Sequence, residues 1–428
     1  MQYDTIVLGA GIVGVSAALH LQSRGHQVVL LDREQPGEGT SFGNAGLIER
    51  SSVIPYAFPR EFAALLRYSL NRETAVRFNP GYLPEIAPWL FQYWKQSAPS
   101  PLDASTLAML PLIERCTDEH DALVQQAGLS ELIRCEGWIE IFKNERAFNR
   151  ARSEAQSLVS YGINYDVLDQ PALQQRDPHL SNKVIGGIHW LDPKTVTNPG
   201  ALVKGYAALF RQRGGIILQG DARSVAQGES GWQVDTLEGP VISQNVVVAL
   251  GPKSADIFKL FGYAIPLAVK RGYHRHFRMQ EGKQLRHSVC DSESGFVLAP
   301  MEQGIRLSTG IEFDRPGAPK NDSQLRRCEA IARSLLPLGE PIEDEPWMGL
   351  RPCLPDMRPV IGAAPRHKGL WFNFGHAHHG LTLGPVTGRL LAEIMTGETP
   401  FTDPEPYSAT RFSKANAASS QTEATLSS

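Results

Sequence analysis

Residues 5–32 restrict the fold more than any other stretch of the chain. An apolar run, TIVLG, leads into the glycine turn AGIVG, then the segment VSAALHLQSRG and a second apolar run, HQVVLLD. The period changes from continuous apolar to helical spacing and back, which predicts strand, turn, helix and strand, with Gly25 closing the helix. Gly9, Gly11 and Gly14 form GxGxxG at the turn, and Asp32 ends the second strand. In that setting the pattern predicts a dinucleotide-binding unit. Gly9 permits the turn, Gly11 lets backbone approach a pyrophosphate at the helix N-terminus, Gly14 allows close packing, and Asp32 accepts from a ribose hydroxyl. The stretch from Thr5 to Ser23 carries no charged side chain, but its glycines and the single preceding acidic residue, Asp4, argue against a membrane span or signal peptide.

A chain of 428 residues with 42% hydrophobic and 20% charged residues is that of a globular protein of two or three domains. Its net charge of −3 offers no excess of cations for a nucleic acid. Cys116, Cys135, Cys290, Cys328 and Cys353 contain no CxxC pair, which disfavours a disulfide framework or structural zinc. The expected location is the cytoplasm, with peripheral contact to the inner face of the membrane left open.

Alternation of helix and strand returns in GALVKGYAALFRQRGG, GIILQG, GWQVDTLEG and NVVVALG. Between the two blocks, residues 54–150 are rich in helix formers, and prolines at 80, 84 and 88 are expected to break the run. Residues 263–342 predict short strands followed by a helix over QLRRCEAIARSLL, and the remainder predicts a loop through WMGLRPCLPDMRPVIG, a strand and a final helix. The last residues, 414–428, are small and polar and are expected to be disordered.

The fingerprint is followed, in order, by GTSFGNAGLI, VVVALGP, GLRPCLPDMRPVIG and GHAHHGLTLGPVTGRLL. With these segments the chain resembles, over nearly its whole length, the D-amino-acid dehydrogenase and glycine oxidase branch of the flavin-dependent amino-acid oxidoreductases. The resemblance implies an α/β fold. A discontinuous Rossmann-type FAD-binding domain would take residues 1–53, 147–262 and 343–413. A sheet-plus-helix substrate domain with a helical insertion would take 54–146 and 263–342.

It also implies cofactor contacts from Gly9, Gly11, Ile12, Val13, Gly14, Asp32 and Arg33, and from Thr40, Ser41, Asn44, Ala45, Gly46 and Leu47 around the flavin ring and ribityl chain. Further contacts fall on Arg223, Ala249 and Gly251, and on Gly375, His376, His379, Gly380, Leu381 and Thr382 before the last helix. The N-terminus of that helix suits the electron-rich pyrimidine edge of a flavin. Cys353 is out of register with the cysteine that attaches flavin in sarcosine oxidases, so FAD is expected to be noncovalent.

Arg351 is the candidate substrate anchor, because a guanidinium fork matches a carboxylate. A surface or interdomain salt bridge is the plainer alternative. Tyr273 falls where relatives place a substrate-facing hydroxyl, although a packed sheet tyrosine would look the same. His378 falls near the substrate, Glu312 is expected to be structural, and His376, His378 and His379 do not match a usual zinc pattern, so no metal is expected. The expected reaction is oxidation of an amino acid at Cα–N, with the donor a D-amino acid, proline-like or hydroxyproline-like donors included. Electrons would pass to a quinone pool, a carrier or oxygen. An N-alkyl amino-acid oxidase of the sarcosine or glycine type, or a noncatalytic FAD-containing subunit, stays open as an alternative.

Overall fold

The opening unit folds as its periodicity requires: strand Gln2–Leu8, helix Ile12–Gln22 and strand Val28–Asp32, the two strands parallel with Thr5 opposite Val28 and Leu8 opposite Leu31. The computed structural model describes residues 2–413, so the expected disordered tail lies outside the described residues. Ile216–Gln219 joins in parallel beyond Val28–Asp32, and Gly239–Val248 pairs with Gln2–Leu8 on its other side and with Leu370–Phe374. The result is a parallel core, extended by the antiparallel strands Gly231–Thr236, Ala226–Gly228 and Val360–Ala363. Ile6, Val7, Leu8, Val29, Leu30, Val246, Val247 and Val248 are fully buried, as strands covered on both faces demand.

One face of this sheet is covered by helices Ile12–Gln22, Pro199–Gln212 and Gly380–Thr396, whose apolar residues share one core with those of Pro99–Ala127. The first and last of these chain segments touch backbone to backbone. A Cβ on Gly388 would stand 2.8 Å from the Ala17 nitrogen, and one on Gly14 would stand 1.8 Å from the Gly9 carbonyl oxygen. The closeness holds the last helix beside the fingerprint turn.

The second sheet is larger. Its long strand Ala268–Met279 pairs with Gly304–Thr309, Ile311–Phe313, Leu338–Pro341 and Trp347–Cys353, and helix Ser323–Leu335 covers one face. Three sequence expectations are corrected here. Tyr165–Asp169 and Gly186–Trp190, placed above with the first layer, extend the second sheet through Trp138–Phe142. Trp347–Cys353 is a strand rather than a loop: Pro352 lacks an N–H, but the strand uses only one side for its ladder with Ala268–Met279, where a proline is tolerated. Finally, the prolines do not break the insertion, since Pro84 lies in the first turn of helix Leu83–Gln96 and Pro88 lies within it.

Candidate active site

A single cavity of about 770 Å³ runs from the fingerprint turn to the junction with the second sheet. At one end Asp32 Oδ2 accepts from the Ala10 amide at 2.7 Å and Oδ1 from the Glu34 amide at 3.2 Å. Helix Ile12–Gln22 has no acidic residue in its first turn and no side-chain cap from Gly11, although the Ser41 hydroxyl accepts from the Ile12 amide at 3.1 Å. Helix Gly380–Thr396 likewise starts without a side-chain cap or an acidic first turn, and Gly380 and Leu381 line the same cavity. Two helix N-termini thus direct positive ends and free donors toward one space, an arrangement for a ligand with negative or electron-rich groups at both ends.

The segment between them, from Gly39 to Leu47, is held by side chains that sequence reasoning missed. Arg306 donates to the carbonyls of Phe42, at 3.0 Å, and Asn44, while burial lowers its pKa to about 10. The Trp347 ring lies so close to Gly43 that a Cβ there would meet it at 1.9 Å.

At the far end, Arg351 projects from strand Trp347–Cys353. Its Nη1 donates to the Gly310 carbonyl at 2.6 Å and Nη2 to the Thr309 carbonyl at 3.0 Å. No carboxylate pairs with it among the described residues. Burial lowers its pKa, and Cys353 and Tyr56 oppose that shift. His378 lines the cavity too, with its ring 4.8 Å from that of Tyr56 and 3.7 Å from that of His379. Burial first, then His379, Arg351 and Lys270, holds its pKa well below the ordinary value, so the ring is neutral, and its buried Nε2 has no hydrogen-bond partner.

Of the expected cofactor residues, Gly9, Gly11, Ile12, Val13, Asp32, Thr40, Ser41, Asn44, Ala45, Leu47, Ala249, Gly251, His376, Gly380 and Leu381 line the cavity. The others do different work. Gly14 packs on Gly9, as its place in the motif requires. Gly46, at φ +76°, bonds through its carbonyl to the Val196 amide. Gly375, at φ +86°, turns against Leu354. Thr382 ties its helix to Leu47 and Glu49. Arg33 is exposed, and Arg223 is an exposed side chain engaged by Asp221 outside the cavity lining. His379 sits behind His378, its Nδ1 3.9 Å from Glu49 Oε2. The donor atoms of Glu49, His378 and His379 lie within 4.8 Å of one another, a grouping that sequence spacing did not show.

Tyr273 lines the cavity, but its hydroxyl is engaged elsewhere. Period-two alternation puts it, with Arg271, on the face of the long strand opposite Lys270 and Gly272. Its hydroxyl donates to Glu312 Oε2 at 2.6 Å and accepts from Arg271 Nη2 at 2.7 Å and the Asn321 amide at 3.1 Å. That fills its capacity inside the core. Glu312, fully buried and bound also by Arg77, is structural as expected. Tyr56 also lines the cavity, and its phenol lies close enough to Arg351 to oppose the lowering of the guanidinium pKa.

Residues 4–394 match the family of FAD-dependent oxidoreductases abbreviated DAO. The chain belongs to that family. It is 29% identical over 425 residues to a D-amino-acid oxidase of Bradyrhizobium diazoefficiens, covering 95% of this chain and 98% of the relative. It is 28% identical over 412 residues to D-amino acid dehydrogenase 2 of Mesorhizobium japonicum, covering 93% and 98%. Glycine oxidase from Geobacillus kaustophilus shares the fold with a TM-score of 0.72 at 20% identity over 96% of this chain and 99% of that one. The cavity of this FAD-dependent oxidoreductase fits the cofactor: small residues at the turn, an acceptor at Asp32 and two helix N-termini along its length.

Proposed function

We propose that this oxidoreductase oxidises the Cα–N bond of a D-amino acid, with FAD held noncovalently along the cavity. The observation that carries the substrate reading is Arg351. A buried guanidinium whose protein partners are two main-chain carbonyls keeps N–H donors for a carboxylate from outside. The names carried by relatives of 28–29% identity support the D configuration.

Arg351 fixes the substrate carboxylate, and Gly310 and Thr309 fix Arg351. The amine reacts as the free base: His378, kept neutral by burial and by the cations around it, disfavours an ammonium beside it, and its unpartnered Nε2 can accept a hydrogen bond from the neutral amine, whose lone pair forms the C=N bond as the Cα hydrogen leaves with its electron pair. Bound FAD supplies the acceptor for that hydride. The released imine hydrolyses to a keto acid or, if cyclic, persists. The Cys353 thiol donates to the Arg351 carbonyl at 3.5 Å and burial raises its pKa, which supports a noncovalent cofactor.

Five free cysteines support a reducing, cytoplasmic setting. Among the described residues no helix is long and apolar enough to cross a membrane. Helix Phe62–Ser69 exposes Phe62 and Leu66, followed by Leu70, while Leu65 and Tyr68 line the cavity. This apolar stripe over the site supports a quinone pool or protein carrier, met at a membrane or partner surface, as electron acceptor ahead of oxygen.

The test is anaerobic bleaching of the yellow holoenzyme against D- and L-amino acids, N-methyl glycine and proline analogues. Reduction by D-amino acids is expected. Reduction only by L- or N-alkyl compounds overturns the stereochemical reading, and reduction by none makes the protein a noncatalytic flavin subunit.

A further inference from the structure

Lys270 is a buried cation without a carboxylate partner. Its side chain is on the cavity face of the long strand, and only 4% of the residue is exposed. Its Nζ lies 4.3 Å from the ring centre of Tyr93, 5.4 Å from Trp89 and 5.8 Å from Phe313. Lysine is almost never buried unpaired, because the ammonium loses its hydration. Aromatic faces repay part of that loss.

The strand register makes the arrangement more demanding. Lys270 stands directly opposite Arg351 in the antiparallel ladder between Ala268–Met279 and Trp347–Cys353. Like charges at directly opposed positions repel, and burial strengthens the repulsion. Among the described residues no acidic side chain comes within 4.0 Å of either cation. Glu312, the buried acid of the neighbouring strand, is taken by Arg271 and Arg77 on the other face. The two heads diverge: Arg351 leans toward Gly310 and Thr309, and Lys270 toward the aromatic cluster. One ligand with two anionic groups satisfies both.

Resting on the proposed amino-acid oxidation, we infer that the substrate is a dicarboxylic amino acid, with its α-carboxylate on Arg351 and its second carboxylate on Lys270. Lys270 is thus the specificity residue of the site. The aromatic walls serve it by keeping water from the ion pair, and they accept the substrate's methylenes between the two charges.

The holoenzyme is assayed by anaerobic flavin reduction with D-aspartate and D-glutamate against the isosteric D-asparagine and D-glutamine. The expected wild-type preference for acid over amide in kcat/KM is about tenfold or more, the scale of one charge-assisted hydrogen bond. Lys270→Met should lower the acid-to-amide ratio by about the same factor, mainly through KM, and Lys270→Arg should retain most of it. Equal wild-type rates for acid and amide overturn the inference while leaving D-amino-acid oxidation intact. An equal fall for both in Lys270→Met overturns it too, because Lys270 would then serve the cofactor or the fold. If no D-amino acid reduces the flavin, it is the underlying reaction that fails.

Discussion

Gly272→Ala separates the placement of Arg351 from its charge. Gly272 lies in the long strand beneath the guanidinium, at a backbone conformation open to any residue, so alanine brings no backbone strain. Its Cβ, however, would stand 2.5 Å from Arg351 Nη2, 2.6 Å from Cζ and 2.8 Å from Nη1. Ordinary contact begins at 3.4 Å, so the guanidinium must retreat by about 0.9 Å. The strand and the cofactor end of the cavity do not move. What breaks is the pair of hydrogen bonds to Gly310 and Thr309, at 2.6 and 3.0 Å, which aim the fork. A misplacement near 1 Å costs roughly a hundredfold in rate when it reaches the reacting geometry, so kcat/KM for amino-acid oxidation should fall by about 30- to 100-fold. FAD content should stay at the wild-type level, and Tm should change little. The measurement is stopped-flow flavin reduction under anaerobic conditions, repeated in an Arg351→Ala background. There the alanine at 272 has nothing to displace, so its further effect should vanish. Undiminished kcat/KM in the single variant, or full additivity in the double, refutes the reasoning.

Arg351→Ala should lower kcat/KM by about a hundredfold or more, the equivalent of roughly 3 kcal/mol for a desolvated bidentate pair, and Arg351→Lys should recover only part; equal loss with carboxylate-free amines would make it a structural residue. Gly11→Val should purify largely without flavin, because its side chain fills the pyrophosphate approach, whereas wild-type flavin should be released intact by acid; flavin that stays with denatured chain contradicts noncovalent binding. Tyr273→Phe should lose stability, by about 1–3 kcal/mol, and keep kcat/KM within about threefold, since its hydroxyl serves Glu312, Arg271 and Asn321; a catalytic collapse at unchanged Tm refutes that placement. Burial lowers the pKa of His20 to about 3, His120 to about 4 and His376 to about 3, from 6.5. Below pH 6.5 the unfolded chain binds protons that the folded chain refuses, so stability is complete above 6.5 and falls toward pH 4, by at most about 1.4 kcal/mol per pH unit for each histidine; a Tm flat from pH 6.5 to 4.5 refutes it.

What was legible in the sequence was local. The fingerprint announces itself because strand, turn, helix and acid lie within about thirty residues, the span of one βαβ unit. Asp32 and Gly11 reach the cavity for reasons already present in that span. The reading loses its grip where a residue's role depends on a partner far along the chain. Trp347–Cys353 reads as a loop because Pro352 interrupts it, and it becomes a strand only when Ala268–Met279, some 80 residues earlier, offers a ladder. The boundary after residue 146 was misplaced for the same reason, since Gly186–Trp190 resembles any other apolar strand until Trp138–Phe142 claims it.

Tyr273 shows the limit most sharply. In KRGYHRHF both faces of the strand are buried, so alternation cannot say which face holds the core and which the site. Register decides it. Once Arg351 stands opposite Lys270 and Met348 opposite Tyr273, Lys270 and Gly272 must share the cavity face with Arg351, and Tyr273 must turn to the helix-covered face. The same step that removes a tyrosine hydroxyl from the site installs a lysine there and clears, at Gly272, the space in which Arg351 rests. The specificity of the pocket is therefore set less by the motif that announces the cofactor than by the pairing register of two strands that meet only in the folded chain.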